Sequence, residues 1–206
     1  MNIGIYIYDD VEVLDFTGPY EVFTTAARVW LRQEPESQKL FEVFLIAEKE
    51  GLVTARADFK VQPHYSIENH PKVDVLVVPG GVHVHEMEKS QVIAWIAELA
   101  PTTRLTASVC TGAFLLAKAN LLDGQTCTTH WEDIPDLRLM FPSLDVKEDV
   151  PWVDNDHILT SAGISAGIEM ALHLVARLAG KGLALKTARQ MQYTWDNAHL
   201  SKEIIT

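Results

Sequence analysis

Short apolar segments alternate with longer amphipathic segments along most of the chain. The apolar segments are nearly continuous and rich in valine and isoleucine, as expected for parallel strands that helices cover on both faces. Four segments show this pattern: Ile3–Tyr8, Phe41–Ala47, Asp74–Gly81 and Arg104–Val109. Five others have helical spacing: Pro19–Leu31, Met87–Leu99, Thr111–Ala119, Ser165–Leu178 and Ala184–Tyr193. The alternation predicts an α/β fold with a doubly wound, mostly parallel sheet and helices on both faces.

Two stretches depart from this alternation. Residues 51–64 predict a pair of short strands or a hairpin at one sheet edge, and residues 126–146 predict a strand, a short helix and another strand. We find no internal repeat, low-complexity segment or linker rich in Pro, Gly or Ser. We therefore expect residues 1–206 to form a single domain with a flavodoxin-like, doubly wound sheet.

Composition and charge exclude two classes of partner. The chain has 206 residues, of which 48% are hydrophobic and 22% charged, enough to bury an ordinary hydrophobic core. Its formal net charge of −11 repels phosphate backbones, so we expect no binding to nucleic acid. The first residues lack the basic region of a signal peptide, and no apolar run approaches the ~18 residues of a membrane span.

The two cysteines, Cys110 and Cys127, are too few for a disulfide framework in a chain of this size. This favours a reducing, cytoplasmic location, although the sequence leaves a single bridge open. Cys127 has no special setting and is interpreted as a packing residue.

Cys110 lies where a predicted strand meets a predicted helix, within the sequence Ser-Val-Cys-Thr-Gly. Ser108 and Gly112 stand two positions on either side, as the sharp turn of a nucleophile elbow requires. The start of the following helix would direct N–H groups and its positive dipole end at the sulfur, which predicts a lowered thiol pKa and a thiolate. The alternative is a small buried residue at a strand end. We favour the nucleophile, because packing alone does not need small flanking residues.

A nucleophile needs an acid/base partner. Asp15 follows the first predicted strand, so it should lie at the same carboxyl edge of the sheet as Cys110. Its apolar neighbours Leu14 and Phe16 would raise the pKa of the carboxyl and let it exchange a proton with a nearby thiol or water. Asp15 could equally well cap the helix predicted from Pro19, and the residues alone leave the two interpretations even.

A nucleophile also needs an oxyanion site. Gly80 and Gly81 follow another predicted strand, and the Gly81 N–H could pair with the Thr111 N–H at that site; a tight turn alone is the alternative. His83 and His85 stand two positions apart and could share a face around a metal ion, but a loop at the pocket rim is favoured and we predict no metal.

Five segments of the chain together resemble the ThiJ/PfpI superfamily, whose domain is related to class I glutamine amidotransferases. They are DFTGPYEVF, VDVLVVPGG, SVCTGAFLLAKANLLDG, TTHW and ILTSAGISAGIEMALHLV. The resemblance runs from about Ile3 to Tyr193, nearly the whole chain. Two branches are most similar: the isonitrile hydratases and the amidase-like sensor domains of AraC-type transcription regulators.

The resemblance to isonitrile hydratases implies that water adds to an isocyanide and gives an N-substituted formamide. It assigns the nucleophile to Cys110, the acidic partner to Asp15 and hydrogen bonding of the developing charge to Thr111. His130 also matches a family histidine, and could tune the pKa of Cys110 or simply hydrogen-bond to the backbone. The family further implies a homodimer. No phosphate-binding glycine loop or strong metal cluster occurs, so we expect no cofactor.

Two departures from the superfamily narrow the function. Thr111 stands where proteases and many deglycases have a histidine, and no His-x-Glu pair occurs near the end of the domain. Both weigh against peptidase and glutaminase activity. A sensor domain without turnover and a glyoxalase or deglycase remain alternatives. We favour the enzyme, because the sequence has no helix-turn-helix extension to serve as a sensor's output. The substituent of the substrate stays open, with Trp131, Trp152 and the loop Val82–Met87 as candidate pocket residues.

Overall fold

The computed structural model describes residues 1–195. Its centre is a seven-stranded sheet. The strands of this sheet are β1 (Asn2–Tyr6), β2 (Glu42–Ala47), β5 (Tyr65–Ser66), β6 (Val75–Val78), β7 (Leu105–Val109), β10 (Trp152–Asn155) and β11 (Ile158–Ser161). Their order across the sheet is β10-β11-β7-β6-β1-β2-β5. All neighbouring pairs are parallel except β10 and β11. The predicted doubly wound, mostly parallel sheet is confirmed.

The four predicted central strands form the middle of this sheet because their side chains avoid water on both faces. All four residues of β6 and all five of β7 are buried, as expected for strands covered by helices on either side. The predicted hairpin is also present, as β3 (Val53–Ala55) paired antiparallel with β4 (Phe59–Val61). Two further short strands, β8 (Thr126–Cys127) and β9 (Asp145–Val146), pair in parallel beside the main sheet.

Helices cover both faces of the sheet. The helices are α1 (Val13–Gln33), α2 (Val84–Met87), α3 (Ser90–Leu99), α4 (Gly112–Lys118), α5 (Ile134–Met140), α6 (Ala166–Ala179) and α7 (Lys181–Gln190). One group consists of α1, α6 and α7, which pack against each other, and α2, α3 and α4 form a second group. The predicted start of α1 at Pro19 is wrong, because the helix begins at Val13 and continues through the proline.

The parallel strands place four connecting segments at one edge of the sheet. β1, β6, β7 and β11 run in the same direction, so the residues that follow each of them meet at the carboxyl edge. These segments are residues 7–15, 79–82, 110–112 and 162–165. Most residues of the candidate site belong to one of these four segments or to the segment that follows β8.

Candidate functional site

Cys110 occupies the turn between β7 and α4, one residue after the strand ends and two before the helix begins. Its φ of 56° is in the left-handed region, which is costly for a residue with a side chain and is typical of functional turns. Its N–H points back to the carbonyl oxygens of Ser161 (3.1 Å) and Ala162 (3.3 Å). At Gly112, a Cβ atom would clash with the Val78 carbonyl oxygen, so the turn requires glycine there.

Asp15 lies in the first turn of α1 with no exposed surface. Its Oδ2 accepts a hydrogen bond from the Gly80 N–H (3.0 Å), whereas its Oδ1 has no hydrogen-bond partner within residues 1–195. The capping interpretation of Asp15 is wrong, because α1 begins before it and Glu12 occupies the N-cap position. The side chain therefore points away from the helix backbone, towards the turn after β6.

The Asp15 carboxyl is poised to exchange a proton near neutral pH. Its pKa is raised to about 7, mainly by burial and to a smaller extent by the charge of Glu12, while the Gly80 N–H and the Cys110 thiol offset part of the rise. The thiol therefore interacts with this carboxyl, although Oδ1 itself has no hydrogen-bond partner among the described residues. Asp15 and Cys110 therefore lie close enough at the carboxyl edge of the sheet for each to shift the pKa of the other.

The pKa of the Cys110 thiol is raised in the structure, whereas the sequence predicts a lowered one. Burial raises its pKa above the usual range, and the negative charge of Asp15 raises it further. The backbone N–H groups of Thr111 and Ile164 face the sulfur and lower the pKa, but they do not offset the loss of hydration. The predicted resting thiolate is therefore wrong. With a raised pKa, the thiol carries its proton at neutral pH.

Thr111 and the glycine turn form one hydrogen-bonded unit. The Gly81 N–H donates to the Thr111 hydroxyl (2.9 Å), and that hydroxyl donates to the Gly81 carbonyl (3.0 Å). The Gly81 N–H is thus engaged by a side chain and does not face the sulfur. At Gly80, a Cβ atom would lie 2.6 Å from the Thr111 hydroxyl oxygen and 2.9 Å from Asp15 Oδ2, so only glycine fits between them.

A cavity of about 520 Å³ adjoins the cysteine, and we call it the substituent cavity. Its lining residues are Thr128, Thr129, His130, Trp131, Ile134, Pro135, Glu148, Asp149, Val150, Pro151, Ala162, Gly163 and Ile164. It adjoins Cys110 through Ile164, whose N–H faces the sulfur, and through Thr129, whose hydroxyl donates to the Cys110 carbonyl (2.8 Å). Cys110 itself is only 7% exposed.

Only part of the predicted pocket lining belongs to this cavity. Trp131 lines it, but Trp152 is not among the lining residues and stacks on His173 with ring centroids 4.1 Å apart. The loop Val82–Met87 is also separate from the lining. Sequence reasoning did not identify Ile164 as a functional residue, because its contribution is a backbone N–H, which carries no side-chain signal.

The predicted histidines have different environments. His130 lines the substituent cavity, and its Nδ1 lies 3.2 Å from Asp133 Oδ2. His83 packs on Phe114 with ring centroids 4.3 Å apart, and His85 is exposed beside Glu88. They flank the start of a helix and not a strand, so they do not share a face. Across residues 1–195, no group of three or more His, Cys, Asp or Glu is arranged to hold a metal ion.

The helices give no sign of a membrane span: within the described part of the chain, none is long and apolar enough to cross a bilayer.

Among solved structures, the chain is similar to a ThiJ/PfpI family protein from Pseudomonas syringae, with a TM-score of 0.81 and 24% identity over 96% of this chain and 76% of that one. It is also similar to Drosophila melanogaster DJ-1beta, with a TM-score of 0.78 and 21% identity over 94% of this chain and 98% of that one. At these identities, both similarities support the fold alone.

Comparison of sequences adds relatives with named activities. The isonitrile hydratase of Pseudomonas putida is 34% identical over 194 residues, which are 94% of this chain and 78% of that protein. The transcriptional regulator GbdR of Pseudomonas aeruginosa is 26% identical over 93% of this chain but only 50% of its own length. The model of the DJ-1/PfpI family matches residues 1–177. The chain therefore belongs to the DJ-1/PfpI family.

Proposed function

We propose that this protein adds water to an isocyanide, R–N≡C, and releases an N-substituted formamide. The observation that carries the proposal is the buried Asp15 carboxyl, which has an unpartnered oxygen and a pKa raised to about 7 and lies beside the thiol of Cys110. A group of this kind can accept the thiol proton and return it within one catalytic cycle. The 34% identity to an isonitrile hydratase supports this choice of substrate.

In the first step, the sulfur of Cys110 attacks the terminal isocyanide carbon. Asp15 accepts the thiol proton and delivers it to the same carbon, so that a carbon–sulfur bond forms and the product is a thioimidate, Cys–S–CH=N–R. The N–H groups of Thr111 and Ile164 face the sulfur and stabilise the negative charge that it gains as its proton leaves.

In the second step, a water molecule attacks the thioimidate carbon. One water proton goes to the substrate nitrogen through Asp15, and the resulting tetrahedral adduct carries a hydroxyl, the sulfur and the nitrogen substituent. The carbon–sulfur bond then breaks, the hydroxyl proton returns to sulfur through Asp15, and R–NH–CHO leaves. Asp15 and Cys110 end each cycle in their initial protonation states, and no oxidant, reductant or cofactor is consumed.

A second candidate function is ligand sensing without turnover. It is favoured by the similarity to GbdR and by the low exposure of Cys110, whose thiol is a poor nucleophile while protonated. A glyoxalase or deglycase would use the same Cys110. The similarity to DJ-1beta concerns the fold alone and does not favour that third function.

Formamide production from an aryl isocyanide tests the proposal directly. We expect turnover by the unchanged protein and losses of about 10³-fold or more in Cys110→Ala and in Asp15→Asn, since each removes a group that acts in both steps. The amide oxygen introduced by Asp15→Asn would still accept the Gly80 N–H, which makes this variant a matched test of proton transfer. No turnover by the unchanged protein, with tight binding of another small molecule, would establish the sensor; turnover of methylglyoxal would establish the glyoxalase.

Two further proposals concern the state of the protein in the cell. Cys110 and Cys127 are both free and buried, which is consistent with a reducing, cytoplasmic compartment. We also propose a homodimer, on the basis of the family, and sedimentation velocity of the purified chain would test it.

A further inference from the structure

We propose that the substituent cavity selects its substrate by charge: it accepts uncharged or cationic apolar substituents on the isocyanide and rejects anionic ones. This inference rests on the proposed hydration, because it concerns the group R of the same substrate. It is distinct from the bond-forming steps, since the residues that carry it surround the cavity and neither donate nor accept the reacting protons.

The walls of the cavity are suited to an apolar, planar group. Trp131 is 73% exposed and Ile164 is 39% exposed, and both line the cavity together with Ile134, Val150 and Pro151. A bound ring would cover apolar surface that is otherwise in contact with water, and the indole of Trp131 offers it a stacking face. The volume of about 520 Å³ is in the usual range for small-molecule sites.

The charges around the cavity are mostly negative. Glu148 and Asp149 line it, and Glu132 and Asp133 lie next to His130, with Nδ1–oxygen distances of 3.9 and 3.2 Å. None of the described residues that line the cavity is Lys or Arg.

The two cations nearest in sequence are already engaged. Arg138 donates to the Glu148 carboxylate and to the Val146 carbonyl, and Lys147 pairs with Asp145 at 2.9 Å. Within residues 1–195, no Lys or Arg pairs with Asp149 or Glu132. A carboxylate or phosphate on the substrate would therefore meet repulsion without a partner.

The field of these acids extends to the reacting sulfur. The negative charge of Asp133 is one of the contributions that raise the pKa of Cys110. A negative group bound in the cavity would thus be repelled by Asp133 as well as by the acids that line the wall. At low ionic strength, we expect this repulsion to lower kcat/KM about tenfold for an anionic substituent, and salt to reduce the difference.

Three phenyl isocyanides of similar size test the proposal: the para methyl ester, the para carboxylate and the para trimethylammonium. We expect the ester and the cation to be hydrated about tenfold faster than the carboxylate at low salt, with the gap narrowing at high salt. The double variant Glu132→Gln, Asp149→Asn should narrow the gap at low salt in the same way. Its matched control is Glu34→Gln, Glu36→Gln, which removes two exposed charges after the end of α1 and should leave the gap unchanged.

Titration calorimetry can measure the binding of the same three compounds to Cys110→Ala. This measurement separates the charge selection from the proposed hydration, because the variant lacks the nucleophile. If the unchanged protein hydrates none of them, the hydration is wrong, and the order of affinities still tests the cavity. Equal or tighter binding of the carboxylate would overturn the charge selection. So would an equal change, in the cavity variant and in its control, of the difference in hydration rate between the carboxylate and the other two compounds.

Discussion

Two buried carboxylates in this molecule have opposite surroundings. Asp154 in β10 accepts hydrogen bonds from His173 (2.6 Å) and from Arg177 (2.7 and 2.8 Å), and Asp15 in α1 accepts one from a backbone N–H. Burial raises the pKa of Asp154, but His173 and Arg177 outweigh it, so the net pKa is lowered. Burial dominates at Asp15, and its pKa is raised to about 7.

The difference separates a carboxylate that stabilises the fold from one that is available for chemistry. A buried carboxylate that accepts hydrogen bonds from a histidine and an arginine is satisfied and has no reason to change its protonation state. A buried charge with an unpartnered oxygen next to a thiol is costly to keep, and such cost is common where a function requires the group. The comparison thus supports the proposed role of Asp15 in proton transfer without reference to any relative.

Removing the charge of Asp154 should have the largest effect on stability. Asp154→Asn leaves His173 and Arg177 facing a neutral amide, so we expect the free energy of unfolding to fall by about 3 kcal/mol in urea denaturation at neutral pH. Asp145→Asn is the control, because Asp145 is 58% exposed and surface pairs contribute about 0–1 kcal/mol. An equal loss in both variants would contradict the structural role of Asp154.

Removing the charge of Asp15 should increase the free energy of unfolding, opposite to the effect at Asp154. Its pKa is raised from 3.8 to about 7, so the folded state binds the proton more tightly and loses stability as the pH rises between these values. Asp15→Asn should therefore be more stable than the unchanged protein by about 2–4 kcal/mol at pH 8. The advantage should shrink as the pH falls towards 4. Denaturation curves at several pH values would show it, and a variant less stable at every pH would contradict the uncompensated charge.

The smallest expected effect concerns the Cys110 thiol in the same variant. The negative charge of Asp15 raises the pKa of Cys110, so Asp15→Asn should lower it and increase the thiolate fraction at a given alkaline pH about tenfold. Ultraviolet absorbance of the thiolate measures this, with Cys110→Ala to subtract other groups. A thiolate fraction that falls in Asp15→Asn would show that the carboxylate ionises the thiol at rest.

The central strands were predictable because they are buried on both faces. β1, β2, β6 and β7 are nearly continuous apolar runs, and Cys110 directly follows the last of them. The start of α1 was not predictable from the rule that proline begins a helix. Pro19 is buried inside α1, whose packing against the sheet and against α6 and α7 outweighs the lost backbone hydrogen bond.

The hairpin of β10 and β11 was missed, and so was the role of Asp154. Both strands are only four residues long and each has just two apolar residues, so neither forms an apolar run long enough to predict a strand. The burial of Asp154 depends on His173 and Arg177, which are about twenty positions away in α6. Long-range pairing of this kind leaves no local signal.

The alternation of apolar and amphipathic segments determined the parallel sheet by itself, and with it the strand end on which Cys110 lies. Parallel strands must send their following residues to one edge, so the sequence also implied that Asp15, the glycine turn and Cys110 would meet. Only the tertiary structure decided the protonation of the site, because desolvation depends on every neighbour that excludes water. The same holds for the cavity, whose walls come from three separate stretches of chain.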